Sequence, residues 1–458
     1  MILRTKTKNA PSDTGLVNRV DRDYADAWKY PTSDRPAQNS AKWRQLQPLE
    51  SHFPASPRRS AIRTDTVAVL GAGHGGLALA SHLALQGHRV ALWNRSPQRL
   101  APIAALGGIR LSTPGSQPSL AHLAIVTSSM AAAVSSAGLI LVAVPACGHV
   151  DVARACAPCL RDGQTVLLLP GRTGGALEFR RVLREAGCRA KILLGEANSF
   201  PFAARAVGPA DAVIYGAKAE LLAAALPAIR TPELLAACRP QLPMLAAAPS
   251  VLHTGLANLG AIIHPSITLL NARRIERRDS FDFYAEGVTP QVADTLAAAD
   301  AERLRVADAY GEAVQSLTDW IATAYGHHAS GVQAAVGGNP AYVGIKAPAN
   351  LKHRYLLEDV PTGLIPLIEL GEAAGLALPT LRRLVNLGRI KLGKQRWRRP
   401  RTLDALGLAG KNTQEIRNFV AFGVASATPN NKPVVPSPSR HLELDVPASS
   451  IWLGREFA

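Results

Sequence analysis

The chain contains few cysteines and few aromatic residues, and these shortages exclude several classes of protein. Its 458 residues include five cysteines, and aromatic residues make up 5% of the sequence. A small, odd number of cysteines in a long chain argues against a disulfide framework, so we expect reduced thiols and a cytoplasmic location. Cys156 and Cys159 have the spacing of a metal or redox motif. Because no second pair of this kind and no nearby histidine pair accompanies them, we predict no metal site.

Long hydrophobic runs are also lacking. The longest uncharged stretches, residues 111–150 and 240–272, are interrupted by proline, glycine, serine, histidine and asparagine. Neither stretch predicts a membrane span, and the N-terminal residues lack the apolar segment of a secretory signal. A hydrophobic content of 47% with 19% charged residues is instead typical of globular domains with a sizeable core.

Acidic residues are scarce relative to basic ones, 34 against 51, which gives a net charge of +17. Part of the excess lies in residues 1–64, and another part lies in residues 382–401, which contain no acidic side chain. One interpretation is attraction of polyanions. We favour a solvated helix face together with an extension that forms no core, so a nucleic-acid partner is not expected.

Residues 66–76 hold the most informative motif. An apolar run leads directly into Gly71-x-Gly73-x-x-Gly76, a helical pattern follows, and residues 89–93 form a second apolar run. Glycine at the three positions allows a tight turn, close approach of a diphosphate to the backbone, and close packing of helix on strand. The segment therefore predicts a βαβ unit that binds a dinucleotide, with the diphosphate at the helix N-terminus.

The end of the second predicted strand bears on which dinucleotide is bound. NAD-specific sites usually place an acidic residue there, whereas this chain has Asn94 and Arg95. The planar guanidinium of Arg95 suits a 2′-phosphate, so we predict NADP. NAD is the alternative, and Arg95 would then be an ordinary surface residue. Pro145 follows another predicted strand and is expected to line the cofactor groove.

Short apolar runs alternate with helical patterns in the first half of the chain. This order predicts an α/β fold, with a Rossmann doubly wound parallel sheet followed by an all-helical C-terminal domain and an active site in the cleft between them. The predicted division is a disordered basic extension over 1–64, a dinucleotide-binding Rossmann domain over 65–250, a helical substrate domain over 251–425 and a Pro-rich tail over 426–458. Predicted strands cover 66–70, 89–93, 122–126, 139–144, 165–170, 191–195 and 211–218. One or two helices are predicted over 292–325, and one helix each over 363–375 and 379–393.

Two polar residues stand out in the predicted helical domain. His264 lies in an apolar, uncharged stretch, and Asp359 lies in a segment that ends with proline. A dehydrogenase needs a proton donor beside the path of the hydride, and a carboxylate on the far nitrogen of a histidine fixes its tautomer. From the residues alone, pairing the two is a hypothesis. The alternative is a buried histidine bonded to the backbone and an unrelated surface aspartate.

Six segments carry a pattern that is typical of one family. They are Gly71-Ala-Gly-His-Gly-Gly76, Leu169-Pro-Gly-Arg-Thr-Gly-Gly175, Asn258 to Asn271 with His264-Pro265, Phe283-Tyr-Ala-Glu-Gly-Val-Thr-Pro290, Arg354-Tyr-Leu-Leu-Glu-Asp-Val-Pro-Thr-Gly363 and Arg401-Thr-Leu-Asp-Ala-Leu-Gly-Leu-Ala-Gly410. With these segments, residues 65–420 resemble the NAD(P)-dependent octopine/nopaline dehydrogenases, the opine dehydrogenase family. The glycine motif occurs in many families, whereas the His-Pro and Arg-x-x-x-x-Asp-x-Pro-x-Gly elements together are much more specific.

The resemblance implies an activity and residue roles. In this family an α-amino acid and an α-keto acid form an imine, which NAD(P)H reduces to an N-(carboxyalkyl) amino acid. The family's His–Asp dyad corresponds to His264 and Asp359, and its substrate-contacting arginine corresponds to Arg354, whose guanidinium suits a carboxylate. Thr289 is a second candidate substrate contact, although its place before a helical pattern favours an N-cap. A homodimer is compatible with the resemblance.

Two other functions stay open from the sequence. A ketopantoate-reductase-like or 2-hydroxy acid dehydrogenase would reduce C=O rather than C=N and would show no requirement for an amine. A non-catalytic NADP-binding sensor or scaffold would recruit a polyanion through the basic extension and would not need the dyad. Because resemblance of fold and cofactor does not fix the substrate, neither the amino acid nor the keto acid is predicted.

Overall fold

A computed structural model describes residues 66–393, Trp397 and residues 399–424. The extension predicted over 1–64 and the tail predicted over 426–458 lie outside these residues. No helix of the described part is long and apolar enough to cross a membrane. The strands of this part lie between residues 66 and 247, and helices dominate after residue 250, so the predicted fold class is confirmed.

The strands of the described residues form two sheets. In chain order they are β1 (Thr66–Leu70), β2 (Arg89–Trp93), β3 (Gly108–Ser112), β4 (Ser119–His122), β5 (Ile125–Thr127), β6 (Ala137–Val142), β7 (Thr165–Leu168), β8 (Leu193–Ala197), β9 (Phe202–Gly208), β10 (Asp211–Ala217), β11 (Leu221–Ala225) and β12 (Leu245–Ala247). The larger sheet has eight strands in the order β12-β11-β8-β7-β6-β1-β2-β5, and the smaller sheet has four in the order β4-β3-β10-β9.

The larger sheet has the doubly wound topology. Strands β8, β7, β6, β1, β2 and β5 run parallel, and the chain order reverses between β1 and β6. A reversal of this kind leaves a crevice at the carboxyl ends of the strands, where ligands bind. One part of the sheet departs from the parallel arrangement, because β11 pairs antiparallel with β8. The chain between these strands forms the antiparallel pair β9–β10 instead of a crossover helix, so it returns in the opposite direction.

Several predicted strand positions need correction. The predicted strand 122–126 is two strands, since Ser119–His122 belongs to the smaller sheet and Ile125–Thr127 to the larger one. The strands predicted at 66–70 and 89–93 have the observed bounds. Strands β3, β9, β11 and β12 were not predicted. The sequence of β11 is Leu-Leu-Ala-Ala-Ala, and these residue types favour a helix as long as their burial in a sheet is not known.

The helices divide between the two halves of the described chain. Those of the first half are α1 (His74–Leu85), α2 (Pro97–Leu106), α3 (Met130–Val134), α4 (His149–Cys156), α5 (Gly175–Glu185) and α6 (Thr231–Cys238). Those of the second half are α7 (Val251–Leu256), α8 (Gly260–Leu270), α9 (Ala272–Glu276), α10 (Pro290–Ala309), α11 (Leu317–Tyr325), α12 (Arg354–Leu357), α13 (Ile365–Ala373), α14 (Pro379–Leu392) and α15 (Thr413–Phe422), with a π-helical turn at Val360–Leu364. The segment 292–325, predicted to form one or two helices, forms two, α10 and α11.

Helix α1 fixes the position of the first glycine motif. Its side chains Leu77, Ala80 and Leu83 are fully buried. They belong to one apolar core with residues of both sheets, and α1 contacts β2 of the larger sheet as well as β4 and β9 of the smaller one. Burial of large apolar side chains contributes about 1.5–3 kcal/mol each, so the start of α1 is held firmly against the end of β1.

Candidate active site

The first glycine-rich turn joins β1 to α1 and is crowded by main chain. Gly71 has φ +124°, and a β-carbon there would lie 2.6 Å from the carbonyl oxygen of Ala143, at the end of β6. A β-carbon on Gly76 would lie 1.8 Å from the oxygen of Gly71. Backbone cannot move aside as a side chain can. Both positions therefore require glycine, which is the packing that the motif predicted.

The same turn is open on its outer side. A β-carbon on Gly73 would meet nothing within 4 Å, and Gly73 begins α1 with no side chain capping the helix. Open space in front of an uncapped helix N-terminus fits a bound diphosphate, because the backbone N–H groups there attract anions. Pro145 lies exposed at the carboxyl end of β6, on the same edge of the sheet. These residues fit a dinucleotide.

The residues after β2 carry no acidic side chain. Asn94 Oδ1 accepts a 3.5 Å contact from the N–H of Ala72, and Arg95 is exposed, 3.8 Å from a carboxylate oxygen of Asp151. Arg99, which was not singled out from the sequence, donates from Nε to the oxygen of Ala72 at 2.9 Å. Two arginines therefore lie near the turn, a charge distribution that suits a phosphate.

His264 and Asp359 are in contact in the structure. His264 Nδ1 lies 2.8 Å from Asp359 Oδ2, and the two residues are 3% and 1% exposed. His264 lies on α8, and Asp359 directly precedes the π-helical turn. The imidazole stacks on Tyr355, with 4.3 Å between ring centres, and this contact fixes the plane of the ring. This contact agrees with the hypothesis that the two residues, which are distant in sequence, pair in space.

Burial and charge set the protonation states of this dyad. Burial lowers the pKa of His264, against the opposing effect of Asp359, and Arg172 lowers it further. Burial alone would raise the pKa of Asp359, but the neighbouring His264 and Arg172 outweigh it and the pKa is lowered. The arrangement is then a neutral imidazole that donates from Nδ1 to a carboxylate, with its lone pair on Nε2. Such a nitrogen can accept or return one proton.

Arg172 is a part of the site that sequence reasoning did not select. It lies on the second glycine-rich turn, after β7, with φ +60°. Nη1 of its guanidinium donates to Asn258 Oδ1 at 3.2 Å, and Nη2 is 3.8 Å from Asp359 Oδ1. The turn stood out in the sequence as glycine-rich, but no pattern indicated that Arg172 reaches a residue far along the chain.

Arg354 lies at the exposed side of the site. Its side chain is 43% exposed, and a guanidinium nitrogen lies 3.2 Å from Glu358 Oε2. The other oxygen of Glu358 accepts from the N–H of Ala146 at 3.1 Å, so this arginine is linked to the end of β6. Thr289 is exposed and caps α10, its hydroxyl accepting from the N–H of Val292 at 3.4 Å. The cap was the favoured interpretation, and a substrate contact by Thr289 stays a prediction.

A buried network of charged side chains supports the second turn. Arg401 is 0% exposed and donates to Glu178 Oε2 at 2.8 Å and to the oxygens of Gly171 and Thr173 at 3.0 Å. Its own N–H donates to the oxygen of Pro361 at 2.9 Å. Arg401 thereby connects the turn after β7 with the segment that carries Asp359.

Glu196, on β8, completes this network. One carboxylate oxygen accepts from the N–H of Ala176 at 2.6 Å, and the other accepts from the hydroxyl of Thr254 at 2.6 Å. Burial raises the pKa of Glu196 to about 7, against the effect of these hydrogen bonds and of Arg401. Sequence reasoning missed this group, because its hydrogen-bond partners lie on two separate helices, α5 and α7.

Known proteins match both halves of the described chain. Residues 247–392 match the family model described as NAD/NADP octopine/nopaline dehydrogenase, alpha-helical domain, and residues 66–171 match that of the NAD-dependent glycerol-3-phosphate dehydrogenase N-terminus. The opine dehydrogenase of Arthrobacter sp. (strain 1C) is 40% identical over 359 residues, which cover 78% of this chain and 99% of that protein.

Solved structures show the same architecture. Octopine dehydrogenase with NADH and L-arginine has a TM-score of 0.64 at 23% identity, covering 76% of this chain and 99% of that one. Yersinopine dehydrogenase with NADP+ bound has a TM-score of 0.57 at 18% identity, covering 79% and 98%. The alternatives of a keto-acid reductase and of a non-catalytic protein are not favoured. The chain belongs to the octopine/nopaline dehydrogenase family, the opine dehydrogenases, and is an NAD(P)-dependent dehydrogenase that acts on CH–NH donors.

Proposed function

We propose that His264 is the acid–base residue of NAD(P)H-dependent imine reduction, and that Asp359 orients it. The imine forms from an amino acid and an α-keto acid. The observation that carries this proposal is the buried 2.8 Å contact between His264 Nδ1 and Asp359 Oδ2, at the edge where β6 and β7 end. A carboxylate on Nδ1 holds the tautomer that presents Nε2 to the substrate and stabilises the imidazolium when a proton is held there.

The dinucleotide is proposed to be NADP, with NAD as the alternative. Gly71, Gly73 and Gly76 would hold its diphosphate through their backbone, Arg95 would contact the 2′-phosphate, and Pro145 would line the groove. When bound, the reduced cofactor supplies the hydride. The absence of an acidic residue after β2 and the exposure of Arg95 support this choice.

The other residues position the substrates. Arg354 is proposed to bind a substrate carboxylate, since its side chain is 43% exposed and its guanidinium is held at one side by Glu358. His264, which is buried, would move the proton at the bridging nitrogen or the keto oxygen. Holding two reactants next to one acid–base residue is an orientation effect, which lowers the entropic part of the barrier.

The organisation of the chain and its location are also proposals. We keep the division into a dinucleotide-binding domain at 65–250 and a helical domain at 251–425, which follows the change from strands to helices. A cytoplasmic location agrees with five free cysteines.

The test is amine-dependent oxidation of NADPH. The enzyme is mixed with NADPH, pyruvate or 2-oxoglutarate, and each of a panel of L-amino acids, and each amine is omitted in turn. The proposal expects oxidation only when both substrates are present. His264→Ala should lower kcat by at least about 100-fold, the usual size of general acid–base catalysis.

The matched control for this variant is His328→Ala, because His328 is an exposed histidine of the same domain. It should leave kcat unchanged. Near wild-type turnover in His264→Ala contradicts the role of His264, and oxidation by the keto acid alone contradicts imine reduction.

A further inference from the structure

We propose that Arg172 binds the carboxylate of the α-keto acid and so forms a second anion subsite beside the dyad. This inference rests on the proposed imine reduction, and it assigns one of the two substrate carboxylates to a residue of the dinucleotide-binding half.

The position of Arg172 places its charge next to the reacting groups. A β-carbon on Gly260 would lie 3.2 Å from a guanidinium nitrogen of Arg172 and 3.4 Å from Cε1 of His264. The guanidinium and the imidazole therefore border the same small volume. Arg172 reaches this volume from the turn that ends β7, on the side of the sheet where the cofactor is proposed to lie.

The guanidinium has hydrogen-bonding capacity that the described residues do not use. A guanidinium has five N–H donors. One of them meets Asn258 Oδ1 at 3.2 Å, and the approach to Asp359 Oδ1, at 3.8 Å, is too long for a hydrogen bond. Nε of Arg172 is buried and has no hydrogen-bond partner among the described residues. A buried N–H donor without an acceptor destabilises the folded protein. A carboxylate would accept hydrogen bonds from two of the guanidinium donors at once.

The chemistry of the product requires two anion subsites. An N-(carboxyalkyl) amino acid carries one carboxylate from each substrate. The keto-acid carboxylate is bonded to the carbon that accepts hydride, so it must lie near the cofactor edge. Arg172 comes from that edge, whereas Arg354 comes from the helical half and its side chain is 43% exposed. We therefore assign the keto acid to Arg172 and the amino acid to Arg354.

The backbone at Arg172 agrees with a functional constraint. Its φ of +60° lies in the left-handed region, which glycine adopts more readily than arginine. The turn is held in place by its neighbour Thr173, whose N–H donates to the oxygen of Thr362 at 3.2 Å and whose hydroxyl donates to the oxygen of Gly255 at 3.0 Å. Arginine therefore occupies a rigid position that a glycine would fill with less strain.

A competing role for Arg172 is that of a positioning residue, a counter-ion that only holds Asp359. The two roles differ in what they do to the substrates. If Arg172 forms a subsite for the keto-acid carboxylate, its loss changes KM for that substrate and leaves KM for an uncharged analogue unchanged. If Arg172 is only a counter-ion, its loss changes kcat for the keto acid and for the uncharged analogue alike. That loss then has no further effect once Asp359 is neutral.

The experiment compares pyruvate with pyruvamide, which lacks the carboxylate charge, in wild type, Arg172→Met and Arg172→Lys. In Arg172→Met we expect KM for pyruvate to rise about 10- to 100-fold, the worth of a charge-assisted hydrogen bond. KM for pyruvamide, KM for the amino acid and the Kd for NADPH should stay within about 2-fold of wild type. Arg172→Lys should recover part of the pyruvate effect, because lysine keeps the charge and loses the fork.

Two controls separate the outcomes. Arg354→Met should raise KM for the amino acid and spare KM for pyruvate. Combined with Asp359→Asn, Arg172→Met should still raise KM for pyruvate. Equal losses in kcat for pyruvate and pyruvamide with unchanged KM, or no effect of Arg172→Met in the Asp359→Asn background, overturn the proposal.

A binding measurement keeps this inference apart from the proposed function. Oxamate, an unreactive isostere of pyruvate, is titrated calorimetrically into the full-length enzyme with NADP+. Arg172→Met should weaken its binding about 10-fold or more, whether or not any amine supports turnover. Oxamate affinity that is unchanged in Arg172→Met, or undetectable in wild type, overturns the assignment of Arg172. Failure of amine-dependent oxidation would contradict imine reduction alone.

Discussion

The two glycine-rich turns lie at the carboxyl ends of parallel strands, β1 and β7, but different neighbours require their glycines. In the first turn the space is taken by backbone, since a β-carbon on Gly76 would lie 1.8 Å from the oxygen of Gly71. In the second turn it is taken by buried side chains, since a β-carbon on Gly171 would lie 2.3 Å from Glu196 Oε2. The first turn would therefore present main chain to the proposed dinucleotide, whereas the second would present a side chain, that of Arg172, to the proposed keto acid.

The difference teaches why only one turn has a recognisable motif. A turn that acts through its backbone needs little more than glycines at a fixed spacing. Its motif can therefore be recognised from a few adjacent positions in the sequence. The second turn depends on Glu178, Glu196 and Arg401, of which the last is more than 200 positions away. If this contrast is right, the two turns should respond to substitution in different ways.

The largest expected effect on stability is at Arg401. Arg401→Met leaves Glu178 as a buried carboxylate without its cation and leaves two carbonyl oxygens of the second turn without a donor. Removing one partner of a buried ion pair costs about 3–5 kcal/mol, and the free energy of unfolding should fall by that amount. Urea unfolding of the purified variant measures it.

Arg399→Met is the control for this variant. Arg399 forms an exposed pair with Asp151 at 2.7 Å, and its side chain is 56% exposed. Exposed pairs contribute less than about 1 kcal/mol, so the control should be close to wild type. Equal stability losses in the two variants would show that the network under the second turn does not hold it.

A second expected effect concerns the pH dependence of stability. Burial raises the pKa of Glu196 from 4.5 to about 7, so between these values the folded protein binds a proton that the unfolded chain releases. The stabilising contribution is complete below pH 4.5 and is lost as the pH rises towards 7, a change on the order of 3 kcal/mol. Glu196→Gln should flatten this part of the curve of unfolding free energy against pH.

The control for Glu196→Gln is Glu233→Gln, because the side chain of Glu233 is 61% exposed and pairs with Arg230 at the surface. Its curve should run parallel to that of the wild type. A curve for Glu196→Gln that keeps the wild-type slope would mean that Glu196 does not titrate in this range.

The smallest effects on stability are expected in the first turn, where two neighbouring glycines should separate folding from binding. Gly76→Ala forces a methyl group against the oxygen of Gly71 and should cost about 1–3 kcal/mol. Gly73→Ala meets nothing within 4 Å and should change unfolding free energy by less than about 0.5 kcal/mol. It should nevertheless weaken NADPH binding, measured by fluorescence titration, because the methyl group enters the space proposed for the diphosphate. Unchanged affinity would place the diphosphate elsewhere.

Much of the fold was predictable because its signals are local. β1 and β2 were placed at their observed bounds, since buried strands next to glycine have a clear apolar pattern. The antiparallel edge formed by β11 was not predictable, because its Ala-rich residues favour a helix and the partner strand decides the outcome. The split between β4 and β5 was missed for a related reason, as two apolar runs of three or four residues merge when the sheets are unknown.

The site residues were predictable only where a motif or a family resemblance identified them. The glycines of the first turn followed from spacing, while pairing His264 with Asp359 needed the resemblance, because 95 positions separate them. Arg172 and Arg401 were missed as partners of the site. Their contacts depend on how the helical half packs on the second turn, and no periodicity along the chain carries that information.

Two hydrogen bonds attach the second turn and Arg401 to the segment that follows Asp359, and this attachment would limit how a cleft between the two halves could open. Thr173 and Arg401 donate hydrogen bonds to the oxygens of Thr362 and Pro361, which lie three and two residues beyond Asp359. A rotation that widened the mouth near Arg354 would therefore use this corner as its hinge, and atoms beside a hinge are displaced least. In such a rotation the distance from His264 and Asp359 to the end of β7 would change little, so the two residues would keep their alignment while the mouth widened.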